Sequence, residues 1–335
     1  MKSVSLLLLL ALLSAALTTA PASAVEIKIG SVAPDRSPWN DALNEIAREW
    51  QRISGGQVTL KIYPGGIAGS EEDMVRKMRL GTLGGAAVTN IGLAHIYREA
   101  QIFITPFLFE NDDELNYVLQ RLTPGFEGEI EAKGFKVIIW TMTGWVNFFT
   151  KGPVIYPEDL KKYKISFTSN NPESEQAWKK CGYTVIPNSM KDLLMALQSG
   201  MVSAFYLPPV MAGSGQYFAL APHMNSLRVA PLLGGIVLSA KVWDQIPESM
   251  RPQLVAAAPP IAEKLNKRIV ELEVQTLKAM KDNGLVVHDP PADALARWRA
   301  VADKGMDELV GKAFSRETYE KTLAILKERR QAPRP

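Results

Sequence analysis

At 335 residues the chain is longer than a single hydrophobic core usually supports, so two domains are expected, and its 47% hydrophobic content is ample to pack them. A formal charge of +3 without a Lys/Arg stripe excludes the profile of a nucleic-acid binder. Cys181 is the only cysteine, so no intrachain disulfide can form; burial must hold the fold, and the thiol is expected to pack as a small hydrophobe.

Residues 1–24 read as an export signal: Lys2, an apolar run over Leu6–Leu13, and "APASA" ending at Ala24. The run is shorter than the roughly 20 apolar residues that span a bilayer, so cleavage near Ala24 and a periplasmic destination are expected. "VEIKIGSV" (25–32) then alternates like a strand. Ser37 as N-cap and Pro38 at the first helical position open a helix whose apolar stripe is Trp39, Leu43, Ile46, Trp50 and Ile53, with Gly55 as its stop. "QVTLKIY" (57–63) is a second strand. Ser70 and Asp73 form a capping box for the next helix, and "GGAAVTN" (84–90) is a third strand.

This β-α-β-α-β order predicts a parallel sheet covered by helices on both faces. Ligands in such sheets sit at the carboxyl ends of the strands, which here means near Ala33–Pro34 and Thr89–Asn90. "FKVIIW" (135–140) continues the pattern, and "VNFFTKGPVIYPEDL" (146–160) reads as an extended crossover at a domain boundary. A second α/β run follows through "YKISF", "NPESEQAWKKCG", "YTVIP", "SMKDLLMALQSG" and "MVSAFYLPP". "RVAPLLGGIVLSA" (228–240) returns toward the first domain. From Pro247 the chain reads as helical, interrupted at Pro259-Pro260, then continuous over 260–283, about 35 Å and long enough to span both domains. The basic tail "KERRQAPRP" reads as a frayed end.

Catalytic signatures are missing from the pattern. There is no phosphate-binding loop, dinucleotide fingerprint or nucleophile elbow around Ser214. His95, His223 and His288 are far apart in sequence and lack metal-ligand spacing, and Glu71 and Glu72 read as a solvated helix face. The expectation is a binding protein with no cofactor, not an enzyme.

Five stretches in order carry a family resemblance: "SGGQVTLKIYPGGIAGSEEDMVRKMRLGTLGGAAV", "REAQIFITPFLFENDDEL", "GPVIYPEDLKKYKI", "MALQSGMV" and "VLSAKVWDQIPESMR". With this spacing the chain resembles the DctP-type periplasmic solute-binding subunit of TRAP (tripartite ATP-independent periplasmic) transporters. The resemblance implies an α/β, two-lobed periplasmic binding protein fold, type II-like, with hinge crossover strands and a long helix spanning both lobes. Lobe I would comprise 25–147 plus about 231–268, and lobe II 148–230 plus about 269–330. It implies delivery of a small solute to one small and one large membrane subunit; some branches add a tetratricopeptide-repeat periplasmic protein.

The departures from the family pattern set the ligand expectation. Where G-F-R is usual the chain has Gly144-Trp145-Val146, K-I-R-V becomes Lys164-Ile165-Ser166-Phe167, and Met190, Tyr206 and Leu207 replace the usual aromatic, Glu and Asn. Three usual polar contacts, two of them arginines, thus become Val146, Ser166 and Leu207. A carboxylate buried without such partners is costly, so a neutral or largely apolar solute is expected, held by Asn90, Trp145, Phe148, Phe167, Met190 and Tyr206 together with those three positions. The aromatics read equally as ordinary core. An alternative is an organic acid held by a substitute cation (Arg36, Arg98 or Lys151); another is a partner-binding module without ligand.

Overall fold

The computed structural model describes residues 24–167 and 172–332; the export-signal reading of 1–24 otherwise lies outside them. Strands β1 (Val25–Ser31), β2 (Val58–Tyr63) and β3 (Gly85–Thr89) are all parallel, with β1 between the other two. Helix α1 (Pro38–Ile53) starts as its caps predict: Ser37 Oγ accepts from the Asn40 amide, and Trp39, Leu43, Ile46 and Trp50 face inward. Helix α2 (Glu71–Arg79) carries the reciprocal Ser70–Asp73 capping box. At Gly85 a Cβ would lie 2.4 Å from Leu238 and 2.7 Å from the Val237 carbonyl, so only glycine lets the neighbouring strand approach this closely.

After α3 (Asn90–Ala94), a 3-10 segment (98–104) and α4 (Asp112–Ala132), the chain enters β4 (Phe135–Thr150). This strand joins two stretches that the sequence separates. Its residues 135–146 pair antiparallel with β9 (Ala230–Ser239), and Asn147–Thr150 pair antiparallel with β7 (Ala204–Leu207). The strand order is therefore one path, β2-β1-β3-β9-β4-β7, continuing through β5 (Lys164–Phe167) to β6 (Thr184–Pro187). The boundary expected at 146–160 begins inside β4, whose residues up to Val146 belong to one half and whose Asn147–Thr150 belong to the other, so the two halves share β4 as a crossover strand. The register shifts on β4 between Met142 and Gly144, where Gly144 takes φ +141, so the strand bends at a bulge instead of ending.

The second half carries α5 (Pro172–Lys180), α6 (Leu193–Gln198) and α7 (Pro209–Ser214). The helical stretch is interrupted beside Pro259-Pro260 as expected: one helix spans Arg251–Ala256, and α8 (Ala258–Asp282) starts after Ala257 with both prolines in its first turn, where they forfeit no intrahelical hydrogen bond. It packs on both halves. Ile261 joins Ile29 and Ile46, Leu265 and Ile269 meet Trp39 and Val210, and Met280 meets Phe149 and Phe205.

Two further expectations change. A short strand β8 (His223–Asn225) pairs in parallel with β10 (Val286–His288), bringing His223 Nδ1 within 2.9 Å of His288 Nε2. Helix α9 (Ala292–Leu309) then packs on α5, and α10 (Arg316–Gln331) takes the basic tail into a docked helix. Arg330 grips Glu114 with two 2.8 Å bonds and Arg329 reaches Asp113 at 2.6 Å, so up to residue 332 the tail is not frayed. Among the described residues, no helix is long and apolar enough to cross a membrane.

Candidate functional site

Between the 98–107 segment and the second half of the sheet lies a cavity with about 1010 Å³ of empty space, counted out to open solvent. Phe148, Phe167 and Tyr206 of the sheet line it, together with Trp178 of α5 and Trp298 of α9. The aromatics form one connected cluster. Phe148 stacks on Trp298 at 5.3 Å, Trp178 stacks on Tyr206 at 5.6 Å, and Phe148 meets Trp178 edge-on at 5.8 Å. The Trp298 indole is fixed by a 2.9 Å bond to the Ile155 carbonyl. Burial pushes the Tyr183 and Tyr206 phenols well above their ordinary range, so both stay neutral. Among the described residues, no Lys, Arg, His, Asp or Glu lines this cavity.

A second cavity, of about 690 Å³ on the same measure, opens beside the carboxyl ends of β1 and β3, as the parallel-sheet rule anticipates. Ala33, Pro34 and Thr89 line it, and so does Met211 of α7; among the described residues it too has no charged lining residue. Asn90 stands between the two cavities in sequence, after Thr89 of the second and before Ile91 of the first. Its side chain is fully buried, and neither amide atom has a hydrogen-bond partner among the described residues. Glu71 braces this turn by accepting from the Thr89 amide and, at 3.1 Å, from the Thr89 hydroxyl. Burial outweighs those bonds and pushes the Glu71 carboxyl up, which corrects its reading as part of a solvated face.

The strand register sorts the residues expected from sequence onto two faces. Successive side chains point to opposite sides of a strand, and Phe148 aligns with Tyr206 while Ile165 aligns with Ala204. Val146, Phe148, Phe167 and Tyr206 therefore face the first cavity, whereas Asn147, Ser166 and Leu207 face away from it. The grouping of Val146 with Ser166 and Leu207 is corrected: Asn147, one residue on, shares their face. Its amide is spent on the Asn225 and Leu227 carbonyls at 3.1 and 3.0 Å. Ser166 accepts from Asn188 at 3.2 Å, and Leu207 and Met190 pack into an apolar cluster with Phe205. Trp145 belongs to another cluster and donates to Asp112 at 2.6 Å, so it is core, not cavity wall.

The sequence reading missed Thr105, Trp178, Cys181, Tyr183 and Trp298, all of which line the first cavity. Their only early signal was an aromatic at helical spacing, which core packing explains equally well. Cys181 is half-buried instead of enclosed, with Sγ 3.1 Å from the Val301 carbonyl. The substitute cations Arg36, Arg98 and Lys151 are all solvent-exposed and line neither cavity; Arg98 lies 3.5 Å from Glu99. Among the described residues no group of three or more His, Cys, Asp or Glu is placed to hold a metal ion.

An α/β sheet in two halves, a connecting strand and an uncharged cavity beside it define the class of a two-lobed solute receptor. The chain belongs to the DctP family, "bacterial extracellular solute-binding protein, family 7", whose profile matches residues 29–313. It is thus a binding protein of TRAP-type transport, not an enzyme. It is 24% identical over 277 residues to the 2,3-diketo-L-gulonate-binding periplasmic protein of Escherichia coli, covering 82% of this chain and 84% of that one. Two solved structures share the fold. The sugar acid binding protein of Advenella mimigardefordensis, in complex with galactonate, matches with TM-score 0.85 and 20% identity over 91% of this chain and 99% of its own. A TRAP periplasmic solute-binding protein of Desulfovibrio salexigens, with bound orotic acid, matches with TM-score 0.84 and 18% identity over the same shares.

Proposed function

We propose that the protein captures an uncharged, largely apolar small molecule in the aromatic cavity and delivers it to the membrane subunits of a TRAP transporter. The observation that carries this is the lining: aromatic and aliphatic side chains with a few neutral polar groups and, among the described residues, no charge. Such a wall offers stacking to a flat apolar body but nothing to offset the lost hydration of a carboxylate. Asn90, Val146, Phe148, Phe167 and Tyr206 remain candidates for contact, with Ser166, Met190, Leu207 and Trp145 behind them. The lobes would comprise 25–147 with 231–268 and 148–230 with 269–330, hinged where β4 and β9 cross. Export would follow cleavage near Ala24 into the periplasm.

A second reading, capture of an organic acid, is favoured by the acids bound to structural relatives: orotic acid, galactonate, succinate and β-D-galacturonate. It needs a cation to reach the ligand, and Arg36, Arg98 and Lys151 are turned to solvent in this structure. Mass spectrometry of the small molecules that co-purify with the native protein separates the two. A neutral apolar compound supports the proposal; a stoichiometric carboxylic acid overturns it. Co-purification from membranes with the small and large subunits tests delivery, and a tetratricopeptide-repeat protein in the same complex would identify the branch that adds one.

A further inference from the structure

His223 and His288, two of the three histidines in the chain, take no part in the site described above, yet the fold sets them against each other. On the paired strands β8 and β10, His223 aligns with Val286 and His288 with Asn225, so the two histidines are diagonal neighbours. Their rings lie 18° from parallel with centroids 5.1 Å apart, and His223 Nδ1 is 2.9 Å from His288 Nε2. The centroid spacing is close to that N···N distance plus the reach of each nitrogen from its own ring centre, so the nitrogens meet almost head-on. One ring donates and the other accepts. Met224 and Val287 pack into the apolar cluster around Phe149, which leaves both histidines half-buried on the opposite face. The charged groups on adjoining elements are Lys151 after Thr150 of β4, Arg228 beyond β8, Lys281 and Asp282 at the end of α8, and Asp289 and Asp293 after β10; all are exposed. Asp282 is paired with Lys278 at 2.7 Å, and Arg228 lies 3.9 Å from Asp112. Burial and then the charge of His288 lower the His223 imidazole below the ordinary histidine range, and no carboxylate among the described residues offsets them.

One turn connects this pair to the aromatic cavity. Asn225, opposite His288, donates to the Val154 carbonyl at 3.1 Å, and the Ser226 amide donates to the His288 carbonyl at 3.0 Å. The next carbonyl, that of Ile155, accepts from the Trp298 indole and so fixes a ring that lines the cavity. Strand β10 is also the link between α8, which packs on both halves, and α9, which carries Trp298. We propose that His223 and His288 form a proton-operated clip, which holds β10 on β8 while one ring nitrogen can still accept and opens when both rings are protonated, loosening the 154–155 turn and Trp298. A first proton is shared in a charge-assisted hydrogen bond and tightens the clip. A second leaves two donors and two positive charges face to face, so the pair takes up its protons in two coupled steps. The folded state binds that second proton less well than the unfolded chain does. Stability from the clip is therefore present above the ordinary histidine range and lost as pH falls. Acid thereby favours solute release, a consequence that rests on the reading proposed above.

The test is imidazole and amide NMR on the exported protein without ligand, from about pH 8 down to about pH 4.5. Three histidines give three sets of ring signals, and His95 serves as the independent reference. The other two are expected to titrate in two coupled steps. Across the second step, amide protection over 223–226 and 286–288, corrected for intrinsic exchange, should fall about tenfold, with 154–156 following. In His288→Gln, whose side chain still donates and accepts but carries no charge, His223 should titrate in one step and protection should change less than about twofold. His223→Gln is the reciprocal variant, and the wild-type titration needs neither. Two independent one-step titrations, a pair still singly protonated at the lower limit, or an equal loss of protection in both glutamine variants overturns the clip. Loss at 223–226 and 286–288 with none at 154–156 overturns its connection to the cavity. None of these readouts uses a solute, so the clip can fail while the uncharged-solute reading stands. A carboxylic acid found in the purified protein would remove that reading and leave the clip.

Discussion

Replacing Ser166 by arginine supplies the residue that the family resemblance leads one to expect at this strand position, and the structure predicts damage instead of repair. Ser166 is 4% exposed and turned to the face it shares with Phe205 and Leu207. Its partner there is the Asn188 amide nitrogen; even with that amide reversed, one acceptor would face the five N–H donors of a guanidinium. A buried cation without a counter-charge costs several kcal/mol, and the added volume costs about 1–3 kcal/mol more. A loss of about 4–6 kcal/mol is expected, a large part of the roughly 5–15 kcal/mol by which proteins are stable. In urea unfolding this lowers the midpoint by about 2 M at a slope of 2–3 kcal/mol per M. Ser166→Gln, long but uncharged, separates volume from charge and should lose only about 1–3 kcal/mol. The reasoning is refuted if Ser166→Arg is as stable as Ser166→Gln, or if it binds succinate at micromolar concentration.

Other outcomes follow from single groups. The Glu71 carboxyl is raised by burial, so the folded state holds its proton more tightly; stability from this group is present at low pH and lost as pH rises through its folded pKa. Glu71→Gln should flatten that decline in melting temperature, and an unchanged profile would contradict the assignment. Burial alone would raise the Glu114 carboxyl, but hydrogen bonds from Arg330 and the Glu110 amide, with the charges of Arg330 and Arg299, bring it below its usual range. Its contribution is therefore present at neutral pH and lost as pH falls through the folded pKa. Arg330→Ala should raise amide hydrogen exchange over 316–331 before it affects the sheet. Burial pushes the Cys181 thiol up, so native protein should react slowly with a bulky thiol reagent and more slowly with the cavity filled. Labelling unaffected by any cavity ligand would remove Cys181 from the site.

What the sequence revealed was local. Ser37-Pro38 and Ser70–Asp73 announce their helices because a cap is decided within one turn, and both are present as read. The parallel order of β1, β2 and β3 followed from alternating patterns and short connections. The continuity of β4 was not legible, since its partners on β9 lie about a hundred residues onward and no local signal reports the pairing. The cavity suffered similarly. Which of Val146 and Asn147 faces it depends on a register that one residue of misalignment reverses. Trp178 and Trp298 come from helices far apart in the chain, and each alone looks like core. His223 and His288, dismissed as distant, meet because their strands pair. Ser166, at the position where the resemblance leads one to expect arginine, was visible directly; which side chains line the cavity had to be seen in three dimensions.

Calorimetric titration of the unmodified protein with an uncharged aromatic solute such as 4-hydroxybenzyl alcohol, and in parallel with succinate, tests the central claim most directly. The account predicts saturable binding of the aromatic with a negative heat-capacity change from buried apolar surface, and no saturable heat from succinate at millimolar concentration. Micromolar succinate binding that weakens with added salt and is abolished by removing one arginine or lysine, with no heat from the aromatic, would contradict it.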